Sequence, residues 1–165
     1  MKKLYLIRHA KSSWDNNNLK DIERPLNKRG EKDAPFMGTV LSKKNIKPDF
    51  IISSPAERAL TTAKIFCSEM KIDEDQITVE QKLYEASRKD ILSVIQSFDK
   101  EINSAMLFSH NPGLTDLAGF LTSGEVYDIP TCGIVSINSK VSNWTELNDS
   151  NCEMEFFEYP KKHSK

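Results

Sequence analysis

Residues 4–9 read LYLIRH, so a run of four apolar residues is followed at once by an arginine and a histidine. A short, continuous apolar run is typical of a strand that is buried on both faces of a sheet. Residues 49–53 and 105–109 carry two further apolar runs, and polar residues again follow each of them. Three such strands predict a mostly parallel sheet that is covered by helices.

Helical patterns and further short strands alternate with these three runs. Residues 27–44 are broadly helical, although Gly30 and Pro35 predict a kink or a break. The remaining predicted elements are a short strand at 77–79, a helix at 90–98, and strands at 134–138 and 152–159. Strands that alternate with helices predict an α/β domain with helices on both faces of its sheet.

Two helices carry local start signals. Residues 54–57, SPAE, match a capping box with proline at the first helical position. Asn111 and Pro112 repeat the combination of cap and proline before a helix that runs to about Leu121. We therefore expect two helix N-termini, with their free N–H groups, at Ser54 and Asn111.

Polar residues follow each of the three best strands: Arg8 and His9, then Ser54 to Arg58, then His110. Ligands of open α/β sheets bind beyond the carboxyl ends of the strands, so these side chains should share one crevice. The paired N–H groups of an arginine guanidinium match the spacing of phosphate oxygens, and the group stays charged. Helix N-termini also favour anions. A neutral imidazole can attack phosphorus and form a phosphohistidine. The pattern predicts a phosphoryl-transfer site that uses no metal and no cofactor.

Three motifs resemble the signatures of the histidine phosphatase superfamily, which includes phosphoglycerate mutases and many phosphatases. They are IRHA at 7–10, SSPxxR at 53–58 and SHNPG at 109–113. Residues 24–30, RPLNKRG, are similar to the small SixA-type branch, the phosphohistidine phosphatases. The resemblance implies a phosphoglycerate mutase-like fold, a three-layer α/β/α sandwich with a mostly parallel central sheet.

The resemblance also implies roles for single residues. His9 matches the nucleophile, and Arg8, Arg58 and His110 match the phosphate pocket. A lone histidine at a strand end is more often structural, but the flanking Arg8 and the matched His110 favour catalysis. A cation in the first turn of a helix is disfavoured by the helix dipole, so Arg58 suggests a bound anion.

Two further residues leave alternatives open. Arg24 either contacts phosphate or only pairs with Asp21 or Glu23. Glu85 lies where many members carry an acidic residue, and it is either the general acid or an exposed loop carboxylate.

The expected function is hydrolysis of a phosphoryl group from a phosphohistidine-bearing protein. The alternatives are a small phosphorylated substrate, as in a small-molecule phosphatase or a phosphoglycerate mutase relative, and a phosphate-binding module without turnover. Mutase-like members carry an acidic residue where this chain has Lys11, which counts against a mutase. Predicted elements already fill the interval from Arg58 to His110, which leaves little room for a lid over a small metabolite.

Length, net charge and composition predict the domain count, the partners and the location of the protein. A chain of 165 residues predicts a single domain over 1–165, with a polar tail at 160–165. The formal net charge of -1 predicts no nucleic-acid or membrane partner. There is no apolar stretch of about 18 residues and no apolar core of a signal peptide, so we expect a cytoplasmic protein. The three cysteines lack metal-type spacing. We also expect a monomer.

Overall fold

The computed structural model describes residues 1–164 as ten main elements that alternate along the chain. In chain order these are β1 (Lys2–Arg8), α1 (Lys28–Lys43), β2 (Phe50–Ser53), α2 (Glu57–Met70), β3 (Ile77–Val79), α3 (Arg88–Gln96), β4 (Ser104–Ser109), α4 (Gly113–Leu121), β5 (Ile134–Ser139) and β6 (Cys152–Glu158). The alternation confirms the α/β class that the sequence predicts.

The six strands form one sheet in the order β3-β2-β4-β1-β5-β6. The pairs β1–β4, β2–β4 and β2–β3 are parallel, whereas β5 runs antiparallel to both β1 and β6. Arg8 lies opposite Ser109 in the register of β1 and β4, and Ser53 lies opposite Phe108. The carboxyl ends of β1, β2 and β4 therefore reach the same edge of the sheet.

Helices cover both faces of the sheet. Alternate residues of β1 point to opposite faces, so Leu6 belongs to one buried cluster and Ile7 to the other. The cluster of Leu6 includes Leu114 of α4 and residues of α3, whereas the cluster of Ile7 includes Phe66 of α2 and residues of α1. These two cores confirm the three-layer sandwich and hold the strand ends in place.

The helices α2 and α4 begin later than the sequence predicts. The first residue of α2 is Glu57, and Ala56 precedes it without a side-chain cap, so the capping box at 54–57 is wrong. The Ser54 hydroxyl is instead engaged inside the site described below. The first residue of α4 is Gly113, although the Asn111 side chain still accepts a hydrogen bond from the Thr115 N–H at 3.1 Å.

The helix α1 runs unbroken from Lys28 to Lys43 in spite of Pro35, so the predicted break is wrong. Its apolar face, which includes Ala34 and Met37, stays buried on both sides of the proline. Tertiary packing of that face outweighs the weak local propensity.

The predicted polar tail contains regular structure. Residues Pro160–His163 form a 3₁₀ turn, and Lys162 donates a hydrogen bond to Glu158 at 2.6 Å. Lys165, the last residue of the predicted tail, lies outside the described residues. Within residues 1–164, none of the helices combines the length and the apolar character that crossing a membrane requires.

Candidate active site

The three strand ends surround a cavity of about 250 Å³. Its lining includes five of the six residues that the sequence singles out for phosphate or catalysis: Arg8, His9, Arg24, Arg58 and His110. The backbone N–H of His9 donates to the carbonyl of Ser109 at 3.2 Å, which ties the end of β1 to the end of β4. Residues that are distant in sequence thus meet in one place because their strands are neighbours.

His9 is buried, and its Nδ1 lies 2.7 Å from the carbonyl oxygen of Ala10. A carbonyl only accepts, so Nδ1 carries the hydrogen and Nε2 keeps its lone pair. Burial lowers the pKa of His9 to about 3, and nearby cationic side chains add to this effect. The imidazole is therefore neutral at physiological pH, which is the form that a nucleophile requires.

His110 lies beside His9, with the two ring centroids 5.1 Å apart. Its Nε2 is 2.7 Å from the hydroxyl oxygen of Ser54, which also accepts a hydrogen bond from the Ala56 N–H at 3.2 Å. In the tautomer in which the Ser54 hydroxyl donates to Nε2, His110 carries its own hydrogen on Nδ1. Burial and the charge of Arg58 lower the pKa of His110 to about 4. In that tautomer His110 is a neutral donor.

Two arginines complete the inner part of the cavity. Arg8 donates from Nη1 to the carbonyl of Ile129 at 3.0 Å. Arg58 donates from Nη1 to the main-chain oxygen of Asp21 at 2.7 Å and from Nη2 to its carboxylate at 3.0 Å. The Nε atoms of both arginines are buried and have no hydrogen-bond partner among residues 1–164.

Nδ1 of His110 is likewise buried and has no partner within the described part of the chain. Buried polar groups without a partner are rare in proteins, and each one calls for an explanation. Here the three unpartnered nitrogens belong to residues that line the same cavity as His9. Such a set can donate to the oxygens of an anion next to a nitrogen lone pair.

Arg24 also lines the cavity. Its Nε donates to the Asp21 carboxylate at 3.0 Å, and its Nη1 donates to the Ser12 hydroxyl at 2.7 Å. The exposed Trp14 ring stacks on the guanidinium, 3.5 Å from its carbon to the ring centroid. Of the two acidic partners considered, Arg24 therefore pairs with Asp21. A contact with phosphate stays a prediction.

Glu85 is exposed, and its backbone has a positive φ of 55°. It is not part of the cavity lining, whereas the ring of the preceding Tyr84 lies edge-on to His110, with the centroids 5.8 Å apart. Its role as general acid stays a prediction.

Three contacts at this site leave no signal in the local sequence pattern. Asp21 binds Arg58 across 37 positions of sequence, and no local pattern reports a contact over that distance. Tyr84 donates to the same carboxylate from 63 positions away. The Ser54 contact with His110 was hidden because a serine before proline also matches a helix cap.

No group of three or more His, Cys, Asp or Glu side chains in the described region is placed to hold a metal ion.

Known proteins resemble this chain in sequence. An uncharacterized chloroplastic protein of Arabidopsis thaliana is 30% identical over 153 residues, which cover 88% of this chain and 70% of that protein. A 2,3-bisphosphoglycerate-dependent phosphoglycerate mutase of Bifidobacterium longum is 38% identical over 65 residues, which cover 38% of this chain and 26% of the mutase.

The fold is similar to that of a protein assigned as the phosphohistidine phosphatase SixA of Agrobacterium tumefaciens. The TM-score is 0.81 at 25% identity, and the match covers 96% of this chain and 98% of that one. The family model of the histidine phosphatase superfamily, branch 1, matches residues 4–104. The chain therefore belongs to the histidine phosphatase superfamily.

Proposed function

We propose that this protein is a phosphohistidine phosphatase that removes the phosphoryl group from a histidine of another protein through a phosphorylated His9. One observation carries the proposal. His9, whose Nε2 keeps its lone pair, lines a small cavity together with Arg8, Arg58 and His110, and each of these three residues has a buried nitrogen without a partner among residues 1–164. These are the groups that phosphoryl transfer requires, namely a nucleophile and charge stabilisation on the equatorial oxygens.

The reaction has two displacements. In the first, His9 Nε2 attacks the phosphorus of a phosphohistidine that is protonated on its other ring nitrogen, the P–N bond to the substrate imidazole breaks, and its electron pair returns to the leaving nitrogen, so that neutral imidazole leaves. In the second, water attacks the phosphorus of phospho-His9, the new P–N bond breaks with its electron pair returning to Nε2, and inorganic phosphate leaves with the protons of the attacking water. Arg8, Arg58 and His110 hold the phosphoryl oxygens in both steps.

The leaving group favours phosphohistidine over a phosphate ester. The imidazole of a phosphohistidine leaves readily, whereas an alkoxide needs a proton from a general acid. Glu85, the acid that the resemblance suggests, does not line the cavity. A substrate with a good leaving group suits a site of this composition.

The size of the site favours a protein substrate. A cavity of about 250 Å³ is smaller than the typical small-molecule site of roughly 300–1,000 Å³. The segment between Arg58 and His110, all of it described, is used by α2, β3, α3 and β4, with short connections. This leaves the phosphoryl group as the main point of contact, and a protein surface can present it.

The second candidate is a phosphatase or mutase that acts on a small phosphorylated metabolite. The sequence match to phosphoglycerate mutases favours it, although that match spans only about a quarter of the mutase chain. The two candidates share the inner site and differ in what lies around it.

The test is a comparison of kcat/KM for a phosphohistidine-bearing protein and for 3-phosphoglycerate at matched concentrations. We expect the phosphoprotein to be preferred by at least about tenfold, with activity that a chelator leaves unchanged. The preference corresponds to about 1.4 kcal/mol of transition-state binding. A tenfold preference for the metabolite would support the second candidate, and inhibition by a chelator would contradict the metal-free mechanism.

A further inference from the structure

Asp21 lies between two arginines of the site. Its Oδ1 accepts a hydrogen bond from Arg24 Nε at 3.0 Å, and its Oδ2 accepts one from Arg58 Nη2 at 3.0 Å. Its main-chain oxygen accepts another from Arg58 Nη1 at 2.7 Å. One residue of a short 3₁₀ turn, Asp21–Glu23, thus holds both guanidinium groups.

These contacts fix the orientation of Arg58. Asp21 uses one hydrogen on each terminal nitrogen of the guanidinium, and the Arg58 Nε is the buried donor without a partner among the described residues. Because a guanidinium is planar, two bonds on one side set the direction of the remaining N–H groups. The second hydrogen on each terminal nitrogen is then free to serve a ligand in the cavity.

Other residues hold the Asp21 carboxylate in turn. The Tyr84 hydroxyl donates to Oδ2 at 2.7 Å. This bond, together with those from Arg24 and Arg58, holds the pKa of Asp21 well below its usual range. The carboxylate is therefore ionised at any working pH, and its charge offsets the repulsion between the two guanidinium groups.

We propose that Asp21 is a positioning residue, whose bonds to Arg58 and Arg24 hold the two guanidinium groups in the orientation that grips the phosphoryl group. The proposal rests on the proposed function, because it assumes that Arg58 contacts that group. Without the carboxylate, the two cations repel and the long arginine side chains sample other rotamers. Small displacements of a positioning group cost roughly 10²-fold in rate.

Asp21 could instead compete with phosphate for the arginines, and that role predicts a change of oxyanion affinity in the other direction. If the carboxylate competed with phosphate for the arginines, its removal would strengthen the binding of an oxyanion. A positioning role predicts that removal of the Asp21 carboxylate weakens the binding of an oxyanion. The sign of the change in oxyanion affinity therefore separates the two roles.

The experiment measures vanadate affinity by calorimetry, kcat and KM on a phosphohistidine peptide, and the melting temperature. Asp21→Asn keeps the size of the side chain and removes its charge. We expect vanadate binding to weaken by about tenfold or more and kcat to fall by about 10- to 100-fold. Asp21→Glu should restore part of both losses. A purely structural role would lower the melting temperature and leave vanadate affinity of the folded protein unchanged.

Two control variants are compared with Asp21→Asn. Tyr84→Phe removes one hydrogen bond to the carboxylate and keeps both ion pairs, so its loss should be smaller than that of Asp21→Asn. Glu155→Gln removes the charge of another ion pair, with Lys3 at 3.1 Å. Lys3 lies near the opposite end of β1 from His9, so this variant should match the wild type.

The outcomes separate this inference from the proposed function. Unchanged or tighter vanadate binding in Asp21→Asn overturns the positioning role, whatever the substrate is. A wild type that binds vanadate but does not hydrolyse phosphohistidine overturns the proposed substrate, and the vanadate measurements still test Asp21. A wild type that binds no vanadate overturns both.

Discussion

The pKa values of His9 and His110 are lowered to about 3 and about 4, with burial as the largest cause of each. The charges of Arg58 and Arg8 add to the lowering of the His9 pKa. A lowered pKa keeps the neutral imidazole, and so the nucleophilic lone pair of His9, available in mildly acidic solution. Activity is lost only when the pH falls far enough to protonate the rings.

We therefore expect kcat/KM to stay level from pH 8 down to about 5 and to fall below about pH 4. The pH dependence of kcat/KM reports the ionisation of groups in the free enzyme, and NMR titration of the two histidine rings gives their pKa values. A midpoint near the ordinary value of about 6.5 for His9 would contradict a buried, neutral nucleophile.

Ser54 sets the tautomer of His110 in the arrangement described above. Ser54→Ala removes the donor to Nε2, so the hydrogen of His110 is no longer biased toward Nδ1. We expect kcat/KM to fall by about tenfold, as for the weakening of one charge-stabilising donor. The variant also leaves the Ala56 N–H without its acceptor and should melt at a lower temperature.

Ser139→Ala is the matched control. Ser139 is also buried, and it donates to the Asn151 carbonyl at 2.8 Å outside the cavity. This variant should lose stability and keep its kcat/KM. Nitrogen NMR of the His110 ring reads the tautomer directly, and a hydrogen found on Nε2 in the wild type would refute the role of Ser54.

At the scale of the secondary-structure elements, the strands were predictable and the exact helix starts were not. Buried parallel strands consist of continuous apolar residues, so residues 4–7 and 105–109 are visible in the sequence. A helix start depends on which group a hydroxyl binds. Ser54 binds His110, 56 positions away, rather than capping α2. The long-range pairing of Asp21 is hidden from the sequence for the same reason.

Gly30 of α1 has a role that its predicted helix-breaking tendency did not suggest. A Cβ at this position would lie 2.1 Å from the main-chain oxygen of Lys11, in the loop that follows His9. The absence of a side chain lets α1 pack against that loop. The Asn27 side chain begins the helix by accepting a hydrogen bond from the Gly30 N–H at 2.9 Å.

Gly30→Ala should therefore push the loop away from α1, lowering stability by about 1–3 kcal/mol and reducing kcat/KM. Gly38→Ala, in the same helix, is the milder comparison, because its Cβ would lie 3.1 Å from a side-chain carbon of Glu69 and 3.2 Å from the Cα of Phe66. Chemical denaturation compares the two variants. Equal stabilities would show that the contact with Lys11 does not constrain the loop.

At the scale of the whole molecule, the topology explains why the site forms where it does. The parallel pairing of β1, β4 and β2 brings three short motifs from distant parts of the chain to one edge of the sheet. The helices on both faces bury the strands and fix their ends. The fold class was predictable from this alternation, whereas a single domain over 1–165 stays a prediction.

The most direct test of the account is whether phosphate becomes attached to His9 during turnover. The protein is mixed with a ³²P-labelled phosphohistidine peptide, quenched in base within milliseconds, and digested for mass spectrometry. We expect the label on Nε2 of His9 in the wild type, none in His9→Ala, and an undiminished yield in the control His163→Ala, whose histidine lies outside the cavity. Label on any other residue, or turnover by His9→Ala at the wild-type rate, would contradict the account.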